Sequence, residues 1–198
     1  MFEKSKSDDW IKFLGTAGAR FVMIRQLRAS GGLWLRTHGV NVLIDPGPGS
    51  LVRCATSRPK LDPAALDAII LTHRHLDHCN DINVMIEAMT DGGFKKRGVV
   101  FVPEDAILKD SVILKHAKDY VERIECLKGS QSYELKGFSF KTTIALRHPC
   151  ETYGLRFRIK DTSVSVLSDT EYFDGLAQQF QSDVVIINVV FFQPIFNC

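Results

Sequence analysis

An apolar run, Ala68 to Thr72, stops abruptly at His73-Arg74-His75-Leu76-Asp77-His78. The run reads as a buried strand. Three of the six histidines in the chain then fall within six residues, with a carboxylate among them. A regular strand would split these side chains between two faces, and a helix would spread them around its axis. A tight turn at the end of a buried strand can gather them. Imidazole nitrogen and carboxylate oxygen are the ligand types zinc takes when it must keep an open position. Histidines in a polar loop are ordinarily solvated or bonded to backbone, but half of all the histidines in one short segment favours a metal site.

The rest of the chain supplies a scaffold. Its 198 residues suit a single domain, 1–198, with a sizeable core. Apolar residues make up 45% and charged residues 24%, as in ordinary globular proteins. A net charge of +2 is too small to argue for a nucleic-acid or membrane partner. The five cysteines are scattered, with no Cys-x-x-Cys pair, which argues against a disulfide scaffold and suits a reducing compartment. The opening residues are polar and charged, unlike a signal peptide. The longest apolar run, Val184 to Ile187 with Val189 to Phe192 after Asn188, is too short to span a bilayer. These features lead to the expectation of a cytoplasmic protein with no membrane partner.

Trp10 to Leu14 reads as a strand ended by Gly15-Thr16-Ala17-Gly18. Leu33 to Thr37 and Val40 to Asp45 flank His38-Gly39, a two-residue hairpin signal. Pro46-Gly47-Pro48-Gly49 halts the second strand. Asn80 to Met89 reads as a helix with Ile82, Met85, Ile86 and Met89 on one face. Val99 to Val102 is a strand, Glu104 to Tyr120 is helical in part, and Arg123 to Leu167 is rich in strands. A short helix, Asp174 to Phe180, and a last strand, Asp183 to Phe192, complete the pattern. Strands first, then alternating helices and strands, suggest sheets sandwiched between helices.

The His-x-His-x-Asp-His segment after an apolar strand ending in Thr resembles the signature of the metallo-β-lactamase superfamily. Ile44-Asp45-Pro46-Gly47, His148 at the end of a strand candidate, and Ser168-Asp169-Thr170 resemble further parts of that pattern, in order. The resemblance implies an α/β (α+β) fold, a four-layer αββα sandwich with metals at one edge. It implies a first metal position held by His73, His75 and His148. It implies a second held by Asp77, His78 and Asp169, with Asp169 bridging both and Asp45 supporting the site from behind. On this reading, metal-activated hydroxide would attack an ester, phosphoester or amide centre, and Asp77 would orient the nucleophile or shuttle its proton.

The pattern also breaks. Two-metal members carry one more histidine, and no histidine follows His148 here. The last helix and strand of the usual fold are expected to be missing. The expectation is therefore one tight Zn²⁺ site and one weak one, with Mn²⁺ or Fe as other candidates. His38 and His116 read as a hairpin turn and a helix surface, not as substitute ligands. Phe13 to Ala19 resembles the opening of the ribonuclease Z-like branch, whose glycines could bring backbone N–H groups near an anionic substrate. An ordinary turn reads about as well. Arg20, Arg25 and Arg28 follow and could meet phosphate, although a charge run more often forms a solvated face.

There is no room between His148 and Asp169 for a long tRNA-binding arm, and Ile187-Asn188 stands where tRNA-processing members carry His-Glu. The expected function is a phosphodiesterase-like, metal-dependent hydrolase acting on a small or nucleotide-like phosphoester, with tRNA disfavoured. Two alternatives stay open: a thioester or lactone hydrolase of the glyoxalase II-like type, and a metal-binding protein with little catalysis. β-lactam hydrolysis is disfavoured, and a homodimer is left open.

Overall fold

The computed structural model describes residues 9–18, 20–108 and 110–189. Six strands form the first sheet in chain order: β1 (Trp10–Phe13), β2 (Leu33–Thr37), β3 (Val40–Ile44), β4 (Ala68–Ile70), β5 (Val99–Pro103) and β6 (Arg123–Leu127). β1, β2 and β3 pair antiparallel, and β3 to β6 run parallel. The β2–β3 turn has His38 at φ 51° and Gly39 at φ 76°. Two left-handed residues in succession are what a two-residue hairpin turn requires.

The second sheet holds β7 (Ser132–Leu135), β8 (Phe138–Ala145), β9 (Tyr153–Ile159), β10 (Thr162–Leu167) and β11 (Val184–Ile187). β7 to β10 are antiparallel, and β11 lies parallel to β10. Residues 190–192 of the predicted last strand lie outside the described residues.

Alternation along the central strands builds two cores. Val42, Ile44, Ala68, Ile70, Val99 and Phe101 face the second sheet and meet Phe138, Phe140, Leu155 and Phe157. Leu43, Ile69, Val100 and Val102 face the opposite way. There they pack under α2 (Ser50–Thr56), α4 (Ile82–Met89) and α5 (Lys115–Tyr120), the remaining helices being α1 (Arg20–Ile24), α3 (Leu76–Cys79) and α6 (Leu176–Gln179). With both faces covered, β4 and β5 are apolar at nearly every position, as parallel central strands are. The outer face of the second sheet receives Phe180, which packs where a side chain on Gly154 would otherwise stand. The four layers expected from the resemblance are thus present.

Ile82, Met85, Ile86 and Met89 are all buried, as their spacing predicts. The helix they lie on starts two residues later than expected. Two helices went unread: α1, and α2 directly after the Pro-Gly pairs that halt β3. The histidine segment is likewise not a single tight turn. Residues 72–75 leave β4 as a loop, and α3 follows as one turn of helix with His75 at its N-cap. Among the described residues no helix is long and apolar enough to cross a membrane.

Candidate metal centre

The carboxyl ends of β3, β4, β10 and β11 converge on one edge, the place where open α/β sheets bind ligands. Asp45 follows β3 at φ 53°, a left-handed conformation that Asp tolerates better than most residues. Its N–H donates to Ile70 O at 2.9 Å, extending the β3–β4 ladder. Its Oδ1 accepts from Thr72 N at 2.7 Å, and Oδ2 accepts from Thr72 Oγ1 at 2.8 Å. Oδ2 also lies 2.9 Å from His78 Nδ1, which must donate to it. That bond fixes the ring, so His78 Nε2 looks toward Asp77 Oδ2 at 3.8 Å and Asp169 Oδ1 at 3.6 Å. Burial alone would lower the His78 pKa, but the charges of Asp45 and Asp169 outweigh it and raise it to about 10.

His73 is fully buried. Its Nδ1 lies 3.2 Å from both Thr72 Oγ1 and Ser168 Oγ, which are 2.7 Å from each other. The protons can be assigned. Thr72 gives its hydroxyl proton to Asp45, so across the short contact it accepts from Ser168. With both hydroxyl protons used, His73 Nδ1 must be the donor to this pair. Nε2 is then a bare lone pair, buried and without a hydrogen-bond partner. Burial also pulls the His73 pKa far down, with the positive charge of His78 adding to it, and the ring is neutral. A buried, unpaired imidazole nitrogen is costly unless something accepts its electron pair, and a divalent cation does so. The donor set therefore fits a metal.

The other rings surround the same point. Ring centroids of His75 and His148 lie 4.9 Å from that of His73, edge-on to it, and 4.7 Å from each other. His75 Nδ1 and His148 Nε2 are 2.9 Å apart. Burial is the main reason the His148 pKa is lowered. Two groups of donor atoms each lie within 4.8 Å of one another: His73, His75, His148 and Cys150 in one, and His73, His78 and Asp169 in the other. Burial would raise the Asp169 pKa, but its bond to His78 and the positive charge of that ring hold it below the usual carboxylate range. Asn188 Nδ2 donates to Asp169 Oδ1 at 3.0 Å.

The structure thus brings the six expected ligands to one edge, with Asp45 directly behind His78. It adds Cys150, which the sequence showed only as a scattered cysteine. The available signal was its place two residues after His148. It also adds Thr72 and Ser168, which orient His73. His38 and His116 lie elsewhere and are exposed, the latter 3.5 Å from Glu87. Arg25 and Arg28 are exposed and line neither of the two cavities at this edge, so neither is placed to meet a phosphate there. The side chain of Arg20 lies outside the described residues.

The larger of these cavities is an open cleft of about 550 Å³ with His75, Asp77, His148 and Asp169 in its wall and Phe21 and Tyr172 beside them. The smaller, of about 160 Å³, separates Gly15 to Gly18 from Asp45, Asp77 and His78. Asn188 packs so closely on Gly18 that a Cβ there would collide with its amide. The glycine stretch therefore does approach the site.

A family model described as a β-lactamase superfamily domain matches residues 40–196. An uncharacterised protein of Methanocaldococcus jannaschii is 32% identical over 190 residues, covering 91% of this chain and 69% of that protein. A ribonuclease Z of Kineococcus radiotolerans is 32% identical over 96 residues, which is 47% of this chain and 28% of the enzyme. Among solved structures, the short form of human tRNase Z superposes with a TM-score of 0.67 at 19% identity, covering 88% of this chain and 76% of its own. At that identity the likeness speaks for the fold alone.

Proposed function

The chain belongs to the β-lactamase superfamily, and we propose that it is a metal-dependent phosphodiesterase of the ribonuclease Z-like branch, acting on a small or nucleotide-like substrate. The observation that carries this reading is the convergence of the His73, His75 and His148 donor atoms, flanked by His78 and Asp169, behind an open cleft whose wall includes His75, His148 and Asp169. His73, His75 and His148 would hold one divalent cation, zinc by the imidazole-rich donor set. His78, Asp77 and Asp169 would hold a second, more weakly. When bound, such ions supply Lewis-acid polarisation and charge stabilisation.

The residues of the chain do the rest. Asp77 lines both cavities, where its carboxylate can accept a proton from an attacking water or orient that water. Asp45 fixes the orientation of the His78 ring through Nδ1, so that Nε2 faces Asp77 and Asp169. Ribonuclease Z and tRNase Z are named for RNA, a phosphodiester, which supports that bond class. A cleft of about 550 Å³ suits a small ligand.

Its walls suggest what that ligand carries. Phe21 is 60% exposed and Tyr172 78% exposed, and both line the cleft, where a planar group would stack on them. Phe21→Ala and Tyr172→Ala should each raise KM for a nucleoside phosphodiester roughly fivefold, the loss of about 1 kcal/mol of stacking. Neither should change kcat much, nor KM for a dialkyl phosphate. Equal changes for both substrates would remove the stacking role.

One observation favours a second reading, a metal-binding protein with little catalysis. The Asn188 amide donates to Asp169 Oδ1 and so competes for an oxygen the second cation would use. A panel of bis-aryl phosphodiester, thioester and lactone, with Zn²⁺ or Mn²⁺ added, separates the readings. Turnover of the phosphodiester alone is the expected result. Stoichiometric metal without turnover of any of the three would establish the second reading instead.

A further inference from the structure

We infer that Cys150 is a fourth protein donor to the first cation, making that position three imidazoles and one thiolate. This rests on the proposed metal centre and goes beyond it, because it names a ligand the sequence pattern does not contain. Cys150 Sγ lies beside the His75 ring, 3.8 Å from Nε2, while Nδ1 of that ring meets His148. Together with the donor atoms of His73 and His148, all lie within 4.8 Å of one another. The independent sign that a ligand belongs among them is His73 Nε2, fully buried and without a hydrogen-bond partner.

The turn carrying Cys150 is held in place from two sides. Asp105 Oδ2 accepts from Arg74 Nε at 3.0 Å and from Glu151 N at 3.1 Å, tying the histidine loop to the Cys150 turn. Thr152 Oγ1 donates to Cys150 O at 2.9 Å and closes that turn. The sulfur has long side-chain contacts, 3.8 Å to His75 Nε2 and 3.9 Å to Thr152 Oγ1, and accepts from the Arg74 backbone, which leaves the thiol proton uncommitted. Cys79, by contrast, already donates its thiol to Arg74 O at 3.2 Å.

A thiolate donor makes the position selective. Soft sulfur favours zinc or cobalt over magnesium or manganese. On binding, the thiol gives its proton to solvent, so uptake of one cation should release one proton from Cys150. A substrate would reach the site from the open cleft lined by Asp77 and Asp169.

Cobalt(II) titration of the chelator-stripped full chain tests this, read by absorption and by equilibrium affinity. The wild type should bind one equivalent tightly and show a thiolate-to-cobalt charge-transfer band in the near ultraviolet. Cys150→Ser should still bind cobalt but lose that band, with affinity reduced about a hundredfold. Cys150→His should restore most of the affinity without the band, which guards against a serine variant that simply folds badly. Cobalt bound by the wild type with no thiolate band would overturn the inference and leave the metal centre standing. Persistence of the band in Cys150→Ser would overturn it in the same way. A wild type that binds no cobalt at all would overturn the metal centre itself, and this inference with it.

Discussion

His73→Ala should lower metal-dependent turnover on the order of 10³-fold or more, the scale seen when a group central to transition-state stabilisation is removed. The reason is its buried Nε2, which has no hydrogen-bond partner and stands at the centre of the donor atoms. His73 Nε2 lies within reach of His75, His148 and Cys150 on one side, and of His78 and Asp169 on the other. No other side chain in these two groups belongs to both. Elemental analysis of the purified variants should therefore be graded. His73→Ala and His148→Ala should each lose the tight ion, and His78→Ala only the weaker one. The effect should be chemical more than structural. With His73 gone, Thr72 and Ser168 still bond each other at 2.7 Å and Thr72 still bonds Asp45, so the strand ends stay joined. The imidazole leaves a cavity in its place, which costs some stability, and a denaturant titration would show how much. A folded His73→Ala protein that keeps its metal and its turnover would show that the buried lone pair is not a ligand, and the functional reading would fall with it.

Residues 73–78 could be read from their own pattern, while His148, Asp169 and Asp45 were named only through the resemblance, and the difference follows from how the site is built. Three histidines and an aspartate in six residues leave few ordinary explanations, and the preceding strand is apolar because both of its faces are covered. The same alternation made the β2–β3 hairpin and the buried face of α4 legible. The expectation that a helix would scatter the ligands failed instructively. Asp77 and His78 do sit on one turn of helix, at consecutive positions. They still serve one site because ligands arrive from several elements: His73 from the end of β4, His148 from the turn after β8, and Asp169 from the end of β10. What stayed hidden depends on that long-range convergence. Nothing local marks Cys150 as facing His75, a residue 75 positions away, nor Ser168 as the group that helps set the tautomer of His73. α1 and α2 are short, and glycines and prolines at their starts read as turns.

Asp45→Ala should combine a large loss of stability with a loss of the weaker ion. The position sits at φ 53°, where alanine pays roughly 1–2 kcal/mol that Asp partly escapes. Removing the carboxylate also strands Thr72 N, Thr72 Oγ1 and His78 Nδ1, whose partners it supplies. Each buried donor left unpaired costs about 1–3 kcal/mol, and water entering beside this half-open edge should recover part of that. A net loss of about 3–5 kcal/mol in chemical denaturation is expected, the scale of breaking a buried charged pair. Asp45→Asn separates backbone from charge. Asparagine accepts the left-handed conformation and one of the hydrogen bonds, so its stability loss should be about half as large. It cannot hold His78 as a carboxylate does. Affinity for the second ion should therefore still fall about 10–100-fold, as when the outer partner of a metal-bound histidine is removed. The first ion, held by His73, His75 and His148, should be retained in Asp45→Asn. If Asp45→Asn instead weakens both ions equally, or neither, the bond between Asp45 and His78 does not set the orientation of that ligand, and the aspartate serves only to join the ends of β3 and β4.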